Sequence, residues 1–266
     1  MKKVLLLFGS RSDSRVYNAI ITELEAKAVA FELKIASAHR TPKEVEKIVK
    51  NTDADVIIAG AGLSAALPGI VASHTLKPVI GVPVSGNYEG LDAFLSIAQM
   101  PPGIPVLAVG VDNAKEAAAY AIEILAENNF IAIIKNSDDP AIISAIEKTK
   151  KILDSFNVSH AVMKGKEARN EQTVYIEFVK LGEGKPQERN GKTTIYVPVA
   201  KESKKEDALT AMKLANSGLW VGLNRGENAA LAAVEIINTQ GKYSDTLREY
   251  RDELKIKVLD SDTEKR

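Results

Sequence analysis

Short, uninterrupted apolar runs alternate with amphipathic helical patterns along this chain, and this alternation restricts the possible folds more than any other feature. Val4–Phe8 is apolar at every position, as expected for a strand that helices cover on both faces. Residues 10–28 follow with helical spacing, and Ser12 and Asp13 are candidate N-caps. Further strands are predicted at Phe31–Ala36, Asp55–Ala59, Pro78–Val82 and Ile104–Val111, and a strong helix at Ala114–Leu125. The pattern predicts a three-layer α/β fold with a doubly wound parallel sheet.

The second half of the chain repeats this plan. Lys77–Val84, with the sequence KPVIGVPV, is similar to Lys192–Val199, with the sequence KTTIYVPV. Any two α/β halves share some pattern, but this match recurs in the same element order and favours a tandem duplication. We therefore predict two flavodoxin-like domains, residues 1–127 and residues 128–266.

The two halves differ in the segments that follow their strands. The first half has the small-residue segment Gly60–Ala66 after its third strand, whereas the second has a charged, hairpin-like stretch at Gly182–Lys192. The second half also ends in an additional amphipathic helix near Tyr243–Val258. Ligands of open α/β sheets bind beyond the carboxyl ends of the strands. We therefore predict that the first half is catalytic and the second is a scaffold.

Charge and residue content argue against several functional classes. Thirty-five basic and 35 acidic residues balance, which argues against a nucleic-acid partner or an anionic membrane partner. The chain has no cysteine, and its three histidines lack the paired spacing of a metal site, so no metal is expected. No apolar stretch approaches the ~20 residues of a membrane span, and the first apolar run is shorter than that of a signal peptide. We expect a cytoplasmic protein.

The first strand ends in a turn suited to binding a phosphate. Gly9 is followed by Ser10, Ser12 and Asp13 at the start of a helix. Backbone N–H groups and the helix dipole favour an anion at such a turn, whereas Asp13 would better accept hydrogen bonds from a sugar diol. An ordinary capped turn explains the same residues equally well. The segment also lacks the G-x-G-x-x-G pattern of a dinucleotide site.

The second strand ends in the segment Ser37-Ala38-His39-Arg40, which places His39 on the ligand side of the sheet. Histidine has an unperturbed pKa of ~6.5, suited to proton exchange near neutrality, and an arginine can hold a phosphate in a bidentate fork. A surface His-Arg pair is the commoner case, but the turn after the first strand points to a phosphate site at the same edge. The small residues of Gly60–Gly69 let a planar ligand approach the main chain, or simply pack at a crowded edge.

The remaining histidines and the tryptophan are predicted to be structural. His74 lies on a predicted helix without an acidic partner at helical spacing, which favours a structural or surface role, and His160 lies in the second strand of the second half, where it does not match His39. The position that does match His39 falls in the segment Lys166–Arg169. Trp220 is predicted to lie in a strand, within the core or an interface.

Five ordered motifs within residues 3–126 occur together in this chain. They are Gly9–Asp13, Ser37–Pro42, Ala65–Gly69, Pro78–Val84 and Leu95–Val106. In this order they resemble the PurE family of purine biosynthesis, the N5-carboxyaminoimidazole ribonucleotide mutases. The second half resembles the family more weakly, best at residues 224–230, so the chain resembles a tandem PurE with a degenerate second copy.

The resemblance implies a reaction without metal or organic cofactor. The carboxylate on the exocyclic nitrogen of an aminoimidazole ribonucleotide moves to ring carbon C4, through CO2 held in a closed pocket. His39 is implied as the proton-transfer group, with Ser10, Ser12 and Arg40 near the phosphate and Asp13 near the ribose. The resemblance further implies that Ser37 and the Gly60–Leu67 backbone, including Gly62 and Leu67, line the imidazole and CO2 pocket.

One position departs from the family pattern. Ala66 stands where the common bacterial form has a second histidine before Leu-Pro-Gly. Three hypotheses therefore stay open: a mutase, a carboxylase that takes CO2 directly with aminoimidazole ribonucleotide, and a nucleotide-binding or assembly protein without activity. Family members are usually octamers, so a fused pair predicts a homo-oligomer, a tetramer that mimics an octamer.

Overall fold

The computed structural model describes residues 2–126, 128–135, 137–164, 172–183, 186, 192–238 and 241–263. The strands are β1 (Lys3–Phe8), β2 (Ala30–Ile35), β3 (Val56–Ala61), β4 (Val79–Pro83), β5 (Leu107–Ala108), β6 (Phe130–Lys135), β7 (His160–Lys164), β8 (Thr173–Lys180), β9 (Thr194–Val199) and β10 (Leu219–Trp220). The helices are α1 (Ser14–Ala26), α2 (Pro42–Asn51), α3 (Leu67–Ser73), α4 (Leu91–Ala98), α5 (Ala114–Leu125), α6 (Pro140–Ser155), α7 (Lys205–Leu214), α8 (Gly226–Ile237) and α9 (Ser244–Thr263).

All ten of these strands form one sheet, in the order β2-β1-β3-β4-β5-β10-β9-β8-β6-β7. Counted within its own half, each set of five strands has the order 2-1-3-4-5, with parallel neighbours. The predicted flavodoxin-like parallel order is confirmed. The halves meet at β5 and β10, which pair antiparallel with Trp220 opposite Ala108.

Helices cover both faces of the sheet because alternate strand residues point to opposite sides. On β1, Val4, Leu6 and Phe8 pack in the core that contains α1, α5, α6 and α8. Leu5 and Leu7 pack in the other core, with residues of α2, α3, α4 and α7. None of the helices in the described part of the chain is both long enough and apolar enough to cross a membrane.

One predicted strand is shorter than expected, one predicted helix is found, and several predicted features lie outside the described residues. The fifth strand was expected over Ile104–Val111, but only Leu107–Ala108 is in the ladder. Past it, the Gly110 backbone packs so tightly on the other half that an added Cβ would lie 2.8 Å from the Ala215 carbonyl oxygen. The helix expected near Tyr243–Val258 is α9. Glu127 at the predicted boundary, the segment 166–169, and residues 184, 185 and 187–191 of the hairpin-like stretch are outside the described residues.

The two halves exchange equivalent hydrogen bonds at their junction. Buried Asn228 of α8 accepts a bond from the Gly103 N–H at 2.9 Å and donates to the carbonyl oxygen of Pro101 at 2.9 Å. In the mirror-image contact, Glu116 of α5 accepts a bond from the Gly218 N–H at 2.8 Å. Each half therefore braces the loop before the fifth strand of the other half. Trp220 is fully buried at this junction, as expected, and stacks on Tyr196.

Candidate active site

A cavity of about 530 Å³ lies beyond the carboxyl ends of β1, β2, β3 and β4. Its lining includes every candidate residue from the sequence, namely Ser10, Ser12, Asp13, Ser37, His39, Arg40, Gly62 and Leu67. These residues follow three strands, β1, β2 and β3, and the parallel strand order brings them to one edge of the sheet.

The turn after β1 forms the hydroxyl-rich side of the cavity. Ser10 Oγ accepts a hydrogen bond from the Ser12 N–H at 3.2 Å, and the Ser12 hydroxyl lies 2.8 Å from the same oxygen. Ser10 therefore caps a short 3-10 turn, whereas Asp13, expected to cap α1 through its side chain, makes no such bond. The Asp13 carboxyl is buried instead, and burial raises its pKa, with hydrogen bonds from Ser12 and Ser10 acting in the opposite direction.

The loop after β2 places the histidine and the arginine. Thr41 Oγ1 accepts a bond from the Ser37 N–H at 2.9 Å, and Ser37 Oγ accepts one from the Arg40 N–H at 3.2 Å. These two bonds within the turn stabilise its conformation. The Arg40 guanidinium donates to the Gly9 carbonyl oxygen at 3.4 Å and so joins this loop to the turn after β1. His39 lies in the same loop, is exposed and lines the cavity.

Small residues after β3 form the third wall. Gly62 lies in this wall, and an added Cβ would only touch the Val84 carbonyl oxygen at 3.5 Å. Gly60 has a different role, because a Cβ there would lie 2.1 Å from the Phe8 ring, so this glycine serves packing. Ala66 and Leu67 complete the wall at the start of α3. Within the described ranges, no group of three His, Asp or Glu side chains is arranged to hold a metal ion.

Sequence reasoning missed the fourth wall, which is formed by Val84, Ser85 and Gly86 after β4. The Ser85 N–H donates to Asp112 Oδ1 at 2.9 Å. The strand match at Lys77–Val84 could have revealed this wall. Ser85 follows that strand and therefore lies at the same carboxyl edge of the sheet as Gly9 and Ser37.

The first half of the chain is similar to known proteins. A family model described as AIR carboxylase matches residues 3–137, which is half of the chain. The chain belongs to the AIR carboxylase family. This is the PurE family that the sequence motifs resemble, and the matched residues include the whole lining of the cavity.

Several curated relatives in the AIR carboxylase family match the same half. N5-carboxyaminoimidazole ribonucleotide mutase of Methanocaldococcus jannaschii is 55% identical over 123 residues, which are 46% of this chain and 78% of that protein. The mutase of Pyrococcus abyssi is 49% identical over 129 residues, 47% of this chain and 74% of that protein. A crystal structure of Treponema denticola PurE aligns with 27% identity and a TM-score of 0.42, over 59% of this chain and 98% of that chain.

In the described part of the second half, a charged pair lies near the place equivalent to this cavity. Ile57 pairs with Val79 and Tyr175 with Thr194, so by the strand match Lys180 holds the position that Gly62 holds in the first half. The Lys180 ammonium lies 2.9 Å from the carboxylate of Asp139, which caps α6 by accepting a hydrogen bond from the Ala141 N–H. A carboxylate at this helix start disfavours a phosphate there.

A larger cavity of about 1,080 Å³ lies at the opposite edge of the sheet, where helices end. Three of its cations donate hydrogen bonds to backbone carbonyl oxygens at helix ends. Lys77 Nζ donates to Thr52 after α2, Arg251 to Ala72 and Thr75 at the end of α3, and Lys2 to Leu125 at the end of α5. His74, at the end of α3, lines this cavity and not the first one. His160 lies in β7, and its Nδ1 is 2.9 Å from the Val158 carbonyl oxygen, in accord with a structural role.

We expect stability to fall from acid to neutral pH, because of two glutamates at equivalent places in α5 and α8, the buried Glu235 and the half-buried Glu123. Burial raises the pKa of Glu235 to about 7 even though Arg251 lies 2.7 Å away, and burial likewise raises the pKa of Glu123 to about 7. A carboxyl with a raised pKa in the folded state stabilises fully below its usual pKa of 4.5 and loses that contribution as the pH rises through about 7.

The thermal unfolding midpoint should therefore fall between pH 5 and pH 8, and Glu235→Gln should remove a large part of that fall. The contribution of Glu235 is on the order of 3 kcal/mol. Glu147→Gln, on the exposed face of α6, serves as the control and should leave the profile unchanged. A Glu235→Gln variant with the wild-type pH profile would contradict this assignment.

Proposed function

We propose that this protein converts N5-carboxyaminoimidazole ribonucleotide to 4-carboxy-5-aminoimidazole ribonucleotide, in the cavity of residues 1–127. The observation that carries the proposal is the single cavity that holds His39, Arg40 and a hydroxyl-rich helix start, in the half that the family model matches. The mutase names of relatives up to 55% identical over this half support the same reaction.

The residues divide between binding and chemistry. Ser10, Ser12 and Arg40 bind the phosphate through the hydroxyls, the turn N–H groups and the guanidinium. Asp13 accepts hydrogen bonds from the ribose hydroxyls. Ser37, Gly62 and Leu67 hold the imidazole ring, because small and apolar residues let a flat ring lie against the main chain.

His39 is the proton-transfer group in this proposal. The carboxyl group leaves the exocyclic nitrogen as CO2, and that nitrogen keeps the bonding electron pair and takes up a proton. C4 then bonds to the CO2 carbon and gives up its own proton. An imidazolium that donates a proton in the first step, and then accepts one as the neutral imidazole in the second, returns to its starting state, so the isomerisation needs no other proton source.

The CO2 intermediate requires a closed and dry site. In one chain the rim of the cavity is open at Leu63, which is 65% exposed, and Tyr88, just beyond the fourth wall, is 79% exposed. We propose that other copies of the chain cover this rim, in a homo-oligomer of four chains. Residues 128–266 then act as a degenerate, non-catalytic copy, a division supported by the Lys180–Asp139 ion pair and by the Asn228 brace.

A carboxylase that takes CO2 directly is the second candidate, because Ala66 lies in the cavity wall where the common bacterial PurE has a histidine. Product formation from N5-carboxyaminoimidazole ribonucleotide, compared with product formation from aminoimidazole ribonucleotide plus bicarbonate, separates the two. The mutase proposal expects rapid turnover of the first substrate without bicarbonate. Turnover only with bicarbonate favours the carboxylase, and no turnover in either assay favours a binding protein without activity.

The end of α9 offers a test of the assembly. Ile256 and Leu259 lie on adjacent turns, are 54% and 57% exposed, and form a small apolar patch that a second chain could cover. Light scattering should give about four times the chain mass of 28.7 kDa for the wild type. We expect Ile256→Glu with Leu259→Glu to reduce that mass.

The matched control for the assembly test is Lys255→Glu with Lys257→Glu, which introduces the same residue at exposed polar positions of the same helix. It should keep the wild-type mass. A wild-type monomer would contradict the proposed assembly.

A further inference from the structure

One carboxylate outside the predicted site joins three elements around the cavity. Asp112, in the turn after β5, accepts a hydrogen bond from the Ser85 N–H at 2.9 Å and another from the Arg15 guanidinium at 2.5 Å. Its own N–H donates to the Pro83 carbonyl oxygen at 2.8 Å, and its φ is 57°. The Asp112 side chain thus ties the cavity wall after β4 to the start of α1.

The second half contains the same turn with a neutral side chain. Asn224 has a φ of 58°, and its N–H donates to the Pro198 carbonyl oxygen at 2.8 Å. Its side chain accepts a bond from the Ala200 N–H at 3.1 Å and donates to the Ala200 carbonyl oxygen at 2.9 Å. An amide oxygen is therefore enough to hold this turn. The turn at Asn224 serves as an internal comparison for the turn at Asp112.

The wall that Asp112 holds leads into a segment of left-handed backbone. Val84 N–H donates to the Ala61 carbonyl oxygen at 3.0 Å, but beyond Ser85 the chain passes through Tyr88 and Glu89 at φ of 52° and 55°. Left-handed backbone at residues other than glycine is costly and persists only where neighbouring contacts fix it. The bond from the Ser85 N–H to Asp112 is a contact that fixes the chain ahead of this segment.

We propose that Asp112 is a positioning residue for substrate binding, which fixes Ser85 and the wall of residues 84–86 against the bound nucleotide. This inference rests on the proposed function. The role belongs to binding and not to proton transfer, because Asp112 does not line the cavity itself and acts through Ser85. Arg15 balances the Asp112 charge, so the anchor does not add a net negative charge beside an anionic substrate.

Asp112→Gly and Asn224→Gly form a matched pair for the test. Both remove the side-chain acceptor, and both positions have the positive φ that glycine adopts without strain. We expect Asp112→Gly to raise KM for N5-carboxyaminoimidazole ribonucleotide about tenfold, the low end of what a hydrogen bond to a charged group gives, with kcat within about threefold. Asp112→Asn keeps the acceptor and should restore most of the affinity, as Asn224 does for its own turn.

Asn224→Gly should lower the thermal midpoint about as much as Asp112→Gly does, but leave KM unchanged. Equal KM values for Asp112→Gly and the wild type would overturn the inference. So would an Asp112→Asn variant as impaired as Asp112→Gly, or an Asn224→Gly variant with the same rise in KM. A wild type without turnover would overturn the proposed function and this inference with it, whereas an active wild type with a normal Asp112→Gly variant overturns the inference alone.

Discussion

Replacing His39 by asparagine is expected to lower kcat by about 10²–10⁴-fold, the range that a positioned general acid–base group contributes. Asparagine retains hydrogen-bonding capacity at similar size, but it cannot exchange a proton near neutral pH. KM should change little, because the proposed phosphate and ribose contacts are made by other residues. Steady-state kinetics with N5-carboxyaminoimidazole ribonucleotide measures both constants.

The same substitution at another histidine, His160→Asn, serves as the control. That residue lies in β7, at the far end of the sheet from β2, and its ring faces Val158 and Asp154. His160→Asn should keep the wild-type kcat. If His39→Asn retains wild-type turnover, the proton-transfer role of this imidazole is wrong.

Arg40→Ala is expected to raise KM by roughly 10- to 100-fold, because a charge-assisted hydrogen bond contributes about 1.5–3 kcal/mol. A phosphate contact is largely the same in the bound substrate and in the transition state, so kcat should stay within a few-fold of the wild type. The loss of the guanidinium also removes the bond to Gly9, and a melting curve of the variant measures any structural cost of that loss.

Arg248→Ala is a suitable comparison for Arg40→Ala. Arg248 is an exposed arginine in α9 that pairs with Asp245 and lines the larger cavity at the opposite edge of the sheet. Its removal should leave KM unaltered. An unaltered KM for Arg40→Ala would instead show that the phosphate is held elsewhere.

Much of the first half of the fold follows from local pattern. The continuous apolar run at Val4–Phe8 predicts a buried strand, and the helix at Ala114–Leu125 has the predicted bounds because Asn113 caps it through a side-chain bond to the Glu116 N–H. The short β5 and the single shared sheet do not follow in this way. They depend on Trp220 and Gly110 meeting the opposite half, and such contacts between distant residues leave no local pattern.

Local sequence pattern likewise predicts some residues of the candidate site and misses others. Ser10, His39 and Arg40 are predictable because each follows a strand, and parallel strands bring their carboxyl ends to one edge. Asp112 and Asn228 are not, because each acts through a partner that is far away in the sequence: Ser85 in one case and Gly103 in the other. The buried state of Asp13 also escaped prediction, since a polar residue at a helix start is normally exposed.

A crystal structure with bound 4-carboxy-5-aminoimidazole ribonucleotide tests the central claim most directly. The account predicts one nucleotide per chain in the cavity of the first half, with its phosphate on Ser10, Ser12 and Arg40 and its ring C4 facing the His39 imidazole. A nucleotide bound in the second half or in the larger cavity, or a His39 ring turned away from C4, would contradict it.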